Sequence, residues 1–179
     1  VPVTASISPL YLAFGDDDIE ASDYDATLKL RPPLRSGADR QAIREALSDG
    51  TLDAFLSAHR PYAVFEAELE FAAAPFGVAS LETTFATLCA TLVSTGELSL
   101  AQVVRLLTDG PRRVLGLETP RIEVGAEANL TLFDPHHVWT CSAQTMRSAS
   151  RHTPYLGQTL RGRALGIYNG GRWVANESP

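Results

Sequence analysis

The alternation of hydrophobic and polar positions at the start of the chain predicts a strand followed by a helix. Residues 3–8 read Val-Thr-Ala-Ser-Ile-Ser, an alternating and partly β-branched run that Pro9 ends, which is typical of a strand. Residues 36–49 carry apolar positions at helical spacing, with Ser36 placed to cap the first turn and Gly50 placed after the last one. We therefore expect a helix over residues 36–49.

The next apolar segment predicts a second, buried strand. Residues 53–57, Asp-Ala-Phe-Leu-Ser, are short and mostly apolar, and the polar residues His59 and Arg60 followed by Pro61 end any ladder pairing. Strand, helix and strand make a βαβ unit, which should be right-handed with parallel strands. Such folds place their chemistry where a buried strand opens into a polar loop at its carboxyl end. Residues 58–62 are therefore the first candidate site.

The middle of the chain predicts a long loop and two helices. Residues 63–77 have no regular pattern and are expected to form a loop, which at this length is usually functional or mobile. Residues 79–95 predict an apolar helix, and residues 98–115 predict a second one that Gly110 and Pro111 divide into two pieces.

The last part of the chain predicts strands. Residues 130–132 form a β-favouring run, and residues 161–175 indicate a closing hairpin with Asn-Gly-Gly as its turn. His136 and His137 are expected in a turn after the first of these strands. Adjacent histidines can indicate a metal site, but neighbours on an extended chain point to opposite sides, so both are predicted to be surface residues.

Residues 15–25 are acidic, with five aspartates and one glutamate. A calcium loop needs a central glycine and a terminal glutamate at fixed positions, and this segment has neither. We expect a solvated loop with a short helical turn.

Composition excludes several classes of function. The chain has 15 basic and 21 acidic residues and a net charge of −6, which argues against a nucleic-acid surface. Cys89 and Cys141 have no metal-type spacing, and so few cysteines favour the reducing cytoplasm. No signal peptide and no apolar run of membrane-spanning length are present, so no membrane partner is expected. The strand-like start at Val1 is interpreted as the interior of a longer protein.

Four short motifs occur in order along the chain. They are Lys-Leu-Arg-Pro-Pro-Leu-Arg at 29–35, Ala-His-Arg-Pro-Tyr at 58–62, Pro-Phe-Gly-Val-Ala-Ser-Leu-Glu-Thr at 75–83 and Thr-Pro-Tyr-Leu-Gly at 153–157. Together they resemble the dihydroorotases, members of the zinc amidohydrolase superfamily. The resemblance extends over nearly the whole chain.

The resemblance implies an α/β fold that is the C-terminal part of an amidohydrolase (β/α)8 TIM barrel. Residues 1–118 would hold the last two barrel strands and their helices, and residues 119–179 would add a small β-sandwich segment. The family binds zinc, but most of its zinc ligands would lie upstream of Val1, so no metal ligand and no cofactor is expected in this chain. The missing N-terminal part of the same protein is the first expected partner.

The resemblance also implies the site residues. Ala58 occupies the position of the family's aspartate, which is both metal ligand and general base, so no catalytic residue is expected here. The candidate substrate-binding residues are Arg31, His59, Tyr62 and Gly77. The guanidinium of Arg31 suits a substrate carboxylate, or it pairs with the acidic residues that precede it. Gly77 either lines the pocket or simply permits a tight turn before the helix.

Two further expectations concern function and partners. The chain is predicted to be a dihydroorotase-like protein of pyrimidine biosynthesis that has lost catalysis and has a structural or regulatory role. An active cyclic amidohydrolase with a rearranged site, acting on dihydroorotate or a hydantoin, and a non-catalytic pyrimidine sensor are the alternatives. Aspartate carbamoyltransferase and a second copy of the chain are the expected protein partners.

Overall fold

The computed structural model describes residue 1 and residues 3–176. The helices are α1 (Leu10–Ala13), α2 (Asp16–Ala21), a 3-10 turn (Ala26–Leu28), α3 (Gly37–Ser48), α4 (Val64–Ala67), α5 (Thr84–Leu88), a π-helical turn (Cys89–Val93), α6 (Leu100–Leu107) and α7 (Asp109–Val114). The strands are β1 (Ser6–Ile7), β2 (Ala54–Phe55), β3 (Leu130–Thr140), β4 (Thr159–Asn169) and β5 (Arg172–Ala175). None of the helices in these described residues is long and apolar enough to cross a bilayer.

The predicted parallel strand pair is confirmed, in a shorter form. β1 and β2 are parallel, and Ser6 lies opposite Ala54 in their register. Backbone hydrogen bonds flank this pair, from the Asp53 amide to the Ala5 carbonyl at 2.8 Å and from the Leu56 amide to the Ile7 carbonyl at 3.1 Å, and the carboxylate of Asp53 accepts from the amide of Ala5 at 2.9 Å. The connecting helix α3 begins as predicted, since the Ser36 hydroxyl accepts from the amide of Asp39 at 3.3 Å.

The helix predicted over residues 79–95 begins later, at Thr84, and continues from an α-helix into a π-helical turn. Residues 81–83 form a turn, α5 begins at Thr84, and the chain continues as a π-helical turn in which the Ser94 amide donates to the carbonyl of Cys89. Threonine hydroxyls donate to carbonyls four residues earlier, among them Thr87 to Thr83 at 2.9 Å. Such back-bonding competes with the helix ladder and bends it, which explains the wide turn.

The division of the second predicted helix lies earlier than expected. The chain breaks at Thr108, between α6 and α7, rather than at Gly110 and Pro111. Pro111 lies in the first turn of α7, where its missing N–H costs no intrahelical hydrogen bond. Gly110 packs directly against the backbone of Asp53, where β2 begins, so this helix supports the strand.

The C-terminal sheet is antiparallel in the order β3–β4–β5. The predicted hairpin turn is confirmed, with Gly170 and Gly171 at positive φ between β4 and β5. The turn predicted at His136 and His137 is wrong. Both residues lie within β3, where the register against β4 is irregular between Asp134 and Val138. The carboxylate of Asp134 accepts from the amide of His136 at 2.8 Å, which takes that amide out of the ladder.

Two hydrophobic clusters hold these elements together. The first joins the N-terminal turns to the base of the sheet and includes Tyr11, Trp139 and Tyr155. The second packs β2 against the helices and includes Phe55 and Leu88. Ile7 of β1 packs against both clusters and Phe55 of β2 belongs to the second, which positions the loop that follows β2.

Candidate functional site

Ala58 lies just beyond the carboxyl end of β2 in a left-handed backbone conformation, with φ at +51°. Asparagine and aspartate adopt this conformation more readily than alanine, whose methyl group is crowded there. The backbone at this position therefore favours a short polar side chain, but the side chain present is a methyl group with no donor, acceptor or ligand atom.

The loop around Ala58 is tied down through the carbonyl of Ser57. The hydroxyl of Ser80 donates to this carbonyl at 2.6 Å, and the hydroxyl of Ser8 donates to it at 3.4 Å. Ser80 is 2% exposed, so its hydrogen bond is shielded from water. Ser80 is a site residue that sequence reasoning missed, although it lies within the motif at 75–83.

His59 is held in one orientation by two backbone amides. Its Nδ1 accepts from the amide of Ser80 at 3.1 Å and from the amide of Leu81 at 3.2 Å. Because both partners are donors, the proton of the neutral ring belongs on Nε2. His59 therefore offers one N–H donor to an incoming group, and its Nδ1 is not available as a base.

Gly77 lies against the loop that follows β2. Its φ is +138°, and a Cβ added to it would lie 2.5 Å from the carbonyl oxygen of Arg60. The amide of Arg60 donates to the carbonyl of Val78 at 2.9 Å, and His59 and Val78 form a parallel bridge. Gly77 thus allows two backbone segments to approach closely.

Tyr62 is engaged with a residue that sequence reasoning did not single out. Its hydroxyl is hydrogen-bonded to Nε2 of His152, and the two rings are 4.4 Å apart. Burial, with the carboxylates of Asp25 and Glu66, raises the pKa of Tyr62 to about 12. Tyr62 is therefore a neutral hydrogen-bonding group. The only signal for His152 was its place directly before the Thr-Pro-Tyr-Leu-Gly motif.

Arg31 is exposed, and its guanidinium carbon lies 5.8 Å from the centre of the Phe76 ring. Among the described residues no ion pair of Arg31 with the acidic segment is seen, and Arg40 pairs instead with Asp17 at 3.7 Å and Asp18 at 3.8 Å. Phe76 belongs to the same loop as Gly77. His59, Tyr62 and Gly77 thus lie in the segment between β2 and α5, and Arg31 lies beside it.

Comparison with known proteins identifies the family. Residues 20–171 match the sequence profile described as the Amidohydrolase family. The chain belongs to the amidohydrolase family. It is 42% identical over 177 residues to a dihydroorotase of Anaeromyxobacter dehalogenans strain 2CP-1, covering 99% of this chain and 41% of that protein. A dihydroorotase of Chlorobaculum tepidum is 38% identical over 172 residues, covering 96% of this chain and 39% of the relative. The resemblance to the dihydroorotases is confirmed.

Solved amidohydrolase structures share the fold. An L-hydantoinase (dihydropyrimidinase) from Arthrobacter aurescens superposes with a TM-score of 0.86 at 26% identity, covering 99% of this chain and 40% of that one. The inactive dihydroorotase-like domain of the Chaetomium thermophilum CAD-like multifunctional protein superposes at 0.66 with 16% identity, covering 99% and 45%. This second likeness concerns the fold alone. The chain spans about two-fifths of the length of the dihydroorotases it matches.

The amidohydrolase family is typically metal-dependent, and the described residues of this chain do not by themselves fit a metal centre. No group of three or more His, Cys, Asp or Glu side chains that could hold a metal occurs in residues 1 and 3–176. At the end of β2, Ala58 has no ligand atom, and Nδ1 of His59 is occupied by two amides. His59 could present at most a single imidazole nitrogen, and only after losing its Nε2 proton.

The buried His152 makes the stability of this amidohydrolase chain depend on pH. Burial lowers the pKa of His152 from 6.5, and its hydrogen bond to the Ala26 backbone and the charge of Asp25 oppose that shift only in part. Below 6.5 the unfolded chain binds a proton that the folded chain does not, so stability is full above this pH and falls on acidification. We expect the thermal midpoint to drop between pH 7.5 and pH 5.5.

The matched variants are His152→Gln and His136→Gln, since His136 is exposed. The first should flatten the dependence of the midpoint on pH in this range, and the second should leave it unchanged. Equal slopes for the wild type and His152→Gln would show that another group is responsible.

Proposed function

We propose that this chain is the C-terminal part of a dihydroorotase-like amidohydrolase that no longer hydrolyses its ring substrate and has a structural or regulatory role. In this proposal residues 1–118 belong to the barrel and residues 119–179 to a β-sandwich segment. The observation that carries the proposal is the methyl side chain of Ala58 at the carboxyl end of β2, on a backbone that suits aspartate.

Hydrolysis of a cyclic amide needs a group that takes a proton from the attacking water and returns it to the leaving nitrogen. A positioned general base contributes about 10²- to 10⁴-fold in rate. The polar groups nearest Ala58 are already engaged, since Ser80 donates to the Ser57 carbonyl and His59 Nδ1 accepts two amides. None of them is arranged as a replacement base.

The remaining groups support binding rather than hydrolysis. His59 has an N–H donor on Nε2, and Arg31 carries an exposed guanidinium. Both suit an anionic or carbonyl oxygen, such as the carboxylate of dihydroorotate or orotate. A pyrimidine sensor that binds without turnover is therefore compatible with the same residues.

The second candidate is an active cyclic amidohydrolase with a rearranged site, acting on dihydroorotate or a hydantoin. The observation that favours it is the close fold likeness to the Arthrobacter aurescens L-hydantoinase, which extends over 99% of this chain. In this case a group outside this chain would take the role of the aspartate.

The partners follow from the proposed role. We propose the N-terminal remainder of the same protein as the first partner, since the matched dihydroorotases are about two and a half times longer. Aspartate carbamoyltransferase and a second copy of the chain are the further proposed partners. Co-purification of this protein with the aspartate carbamoyltransferase of the same organism would test the partnership with that enzyme.

The deciding experiment measures dihydroorotate turnover and bound zinc on the same full-length sample, for the wild type, Ala58→Asp and Ala58→Asn. The wild type should show no turnover. Asparagine is the control because it tolerates the same backbone conformation but cannot act as a base. A gain in turnover with aspartate alone would confirm that the base is what is missing.

Two outcomes would contradict the proposal. Wild-type turnover at an ordinary enzymatic rate, about 1 to 10³ per second, would exclude the loss of catalysis. A weak wild-type activity that Ala58→Asp leaves unchanged would favour the rearranged site.

A further inference from the structure

Lys29 is the only lysine in the sequence, in which the other 14 of the 15 basic residues are arginines. Its side chain is half-buried beneath the loop of residues 63–77. The ammonium donates to the carbonyls of Phe71, Ala72 and Ala74 at 2.7, 2.9 and 2.7 Å. All three of its N–H groups are thus directed at one short segment of backbone.

This arrangement requires an ammonium. Three carbonyls converge on a single nitrogen, and only lysine presents three donors from one compact, rotatable group. Arginine spreads its donors over three nitrogens in a rigid plane and cannot reproduce this convergence. Arginine occupies all 14 of the remaining basic positions, and the single lysine lies where three carbonyls converge on one nitrogen.

The three carbonyls depend on Lys29. In the part of the chain that the structure describes, no backbone amide donates to the carbonyl of Phe71, Ala72 or Ala74. No carboxylate ion pair to Lys29 occurs among these residues either, so its charge is balanced by carbonyl dipoles. Two aromatic rings complete the surroundings, with Phe76 centred 4.9 Å and Phe71 centred 5.5 Å from the ammonium.

The backbone of Lys29 also contacts the loop, at the end that reaches the candidate site. Its carbonyl accepts from the amide of Gly77 at 3.0 Å. Gly77 lies against Arg60 of the loop that follows β2. One residue therefore holds both the middle of this loop and its carboxyl end.

We infer that Lys29 is a positioning residue whose ammonium holds the loop of residues 63–77 closed against the candidate site. The loop opens only when the three carbonyls exchange the ammonium for water. This inference does not depend on whether the protein hydrolyses anything, and its test needs no substrate.

The first test is amide hydrogen exchange on the full chain for Lys29→Met, Lys29→Arg and the control Arg172→Met, which changes an exposed arginine on β5. Hydrogen bonds to charged groups are strong enough that losing them should speed loop exchange by about tenfold or more. The reporters are the amides of Ala73, Ala74, Gly77 and Arg60, each of which is hydrogen-bonded within or beside the loop.

Both Lys29 variants should show faster exchange at these amides, and the core amide of Val103 should keep its protection in all variants, which verifies folding. Wild-type protection in Lys29→Arg would overturn the inference, because a positive charge alone would then suffice. Unchanged protection in Lys29→Met would overturn it as well.

The second test restores the ammonium chemically. In Lys29→Cys, alkylation of the thiolate with 2-bromoethylamine displaces bromide and gives a side chain with the same number of non-hydrogen atoms as lysine. The two native cysteines should not react near pH 8, because both are buried and burial raises the pKa of Cys89 and Cys141 to about 11.

The comparison reagent is (2-bromoethyl)trimethylammonium, which restores the charge but no N–H donor. Protection of Ala73, Ala74 and Gly77 should return with the primary ammonium and not with the trimethylated one. Equal recovery with both reagents would show that charge over the aromatic rings, rather than the three hydrogen bonds, holds the loop.

Discussion

Replacing Gly77 with alanine is expected to destabilise the protein by about 3 kcal/mol or more. Gly77 has a φ of +138°, which side-chain-bearing residues rarely adopt, and its added Cβ would lie 2.5 Å from the carbonyl oxygen and 2.9 Å from the Cβ of Arg60. The nearest atom is a backbone oxygen and the next is a Cβ, and neither is moved by a side-chain rotation, so the strain cannot be relieved in that way. Urea unfolding of the full chain measures the loss.

The matched control is Gly50→Ala. Gly50 also has a positive φ, +82°, but an added Cβ would meet nothing within 4 Å. Its replacement should cost only the conformational strain, about 1 kcal/mol. If both variants lost the same free energy of unfolding, the close approach between Gly77 and Arg60 would not contribute. The amide of Arg60 should also lose protection from exchange in Gly77→Ala and keep it in Gly50→Ala.

The βαβ unit could be predicted because its signals are local. The Ser36 cap, the glycine stop at Gly50 and the apolar run before Ser57 each fix an element boundary over a few residues. The irregularities could not be predicted in the same way. The π-helical turn arises from threonine hydroxyls that compete with the backbone, and the irregular register of β3 arises from the carboxylate of Asp134.

The candidate site at residues 58–62 was predicted from the strand that opens into a polar loop and from the family resemblance, and its chemistry is determined by long-range contacts. The motif at 58–62 identified Ala58 and His59 as the residues that follow β2. That His59 Nδ1 accepts the amides of Ser80 and Leu81 depends on residues 21 and 22 positions away. Tyr62 and His152 are 90 positions apart. No periodicity in the sequence reports such a contact, so the orientation of each ring required the structure.

The backbone conformation of Ala58 and the hydrogen bonds of the polar groups around it support the same proposed function. The backbone at Ala58 has a conformation that suits aspartate, and the nearby polar groups of Ser80 and His59 are engaged in hydrogen bonds of their own. In the proposed function, the framework is kept without its reactive group because a partner recognises the fold itself. The role of Lys29 in holding the loop is consistent with this, since it stabilises a shape and carries out no chemistry.

Replacing Leu88 with alanine is expected to cost about 2–5 kcal/mol of stability. Leu88 is 0% exposed and belongs to the cluster that packs Phe55 of β2 against the helices. Removing its side chain leaves a cavity that α5 cannot close, because the π-helical turn that follows fixes its end. The thermal midpoint should fall by about 2–4 °C for each kcal/mol lost.

The matched control for this core variant is Leu117→Ala, since Leu117 is 54% exposed and should change the midpoint little. The cavity should also loosen β2, so the amide of Leu56, which donates to the carbonyl of Ile7 at 3.1 Å, should exchange faster. A small loss of stability with an unchanged Leu56 amide would mean that Leu88 does not fix β2, and that the pairing with β1 holds the strand. The loop that carries Ala58 and His59 would then be independent of the helical side of the chain.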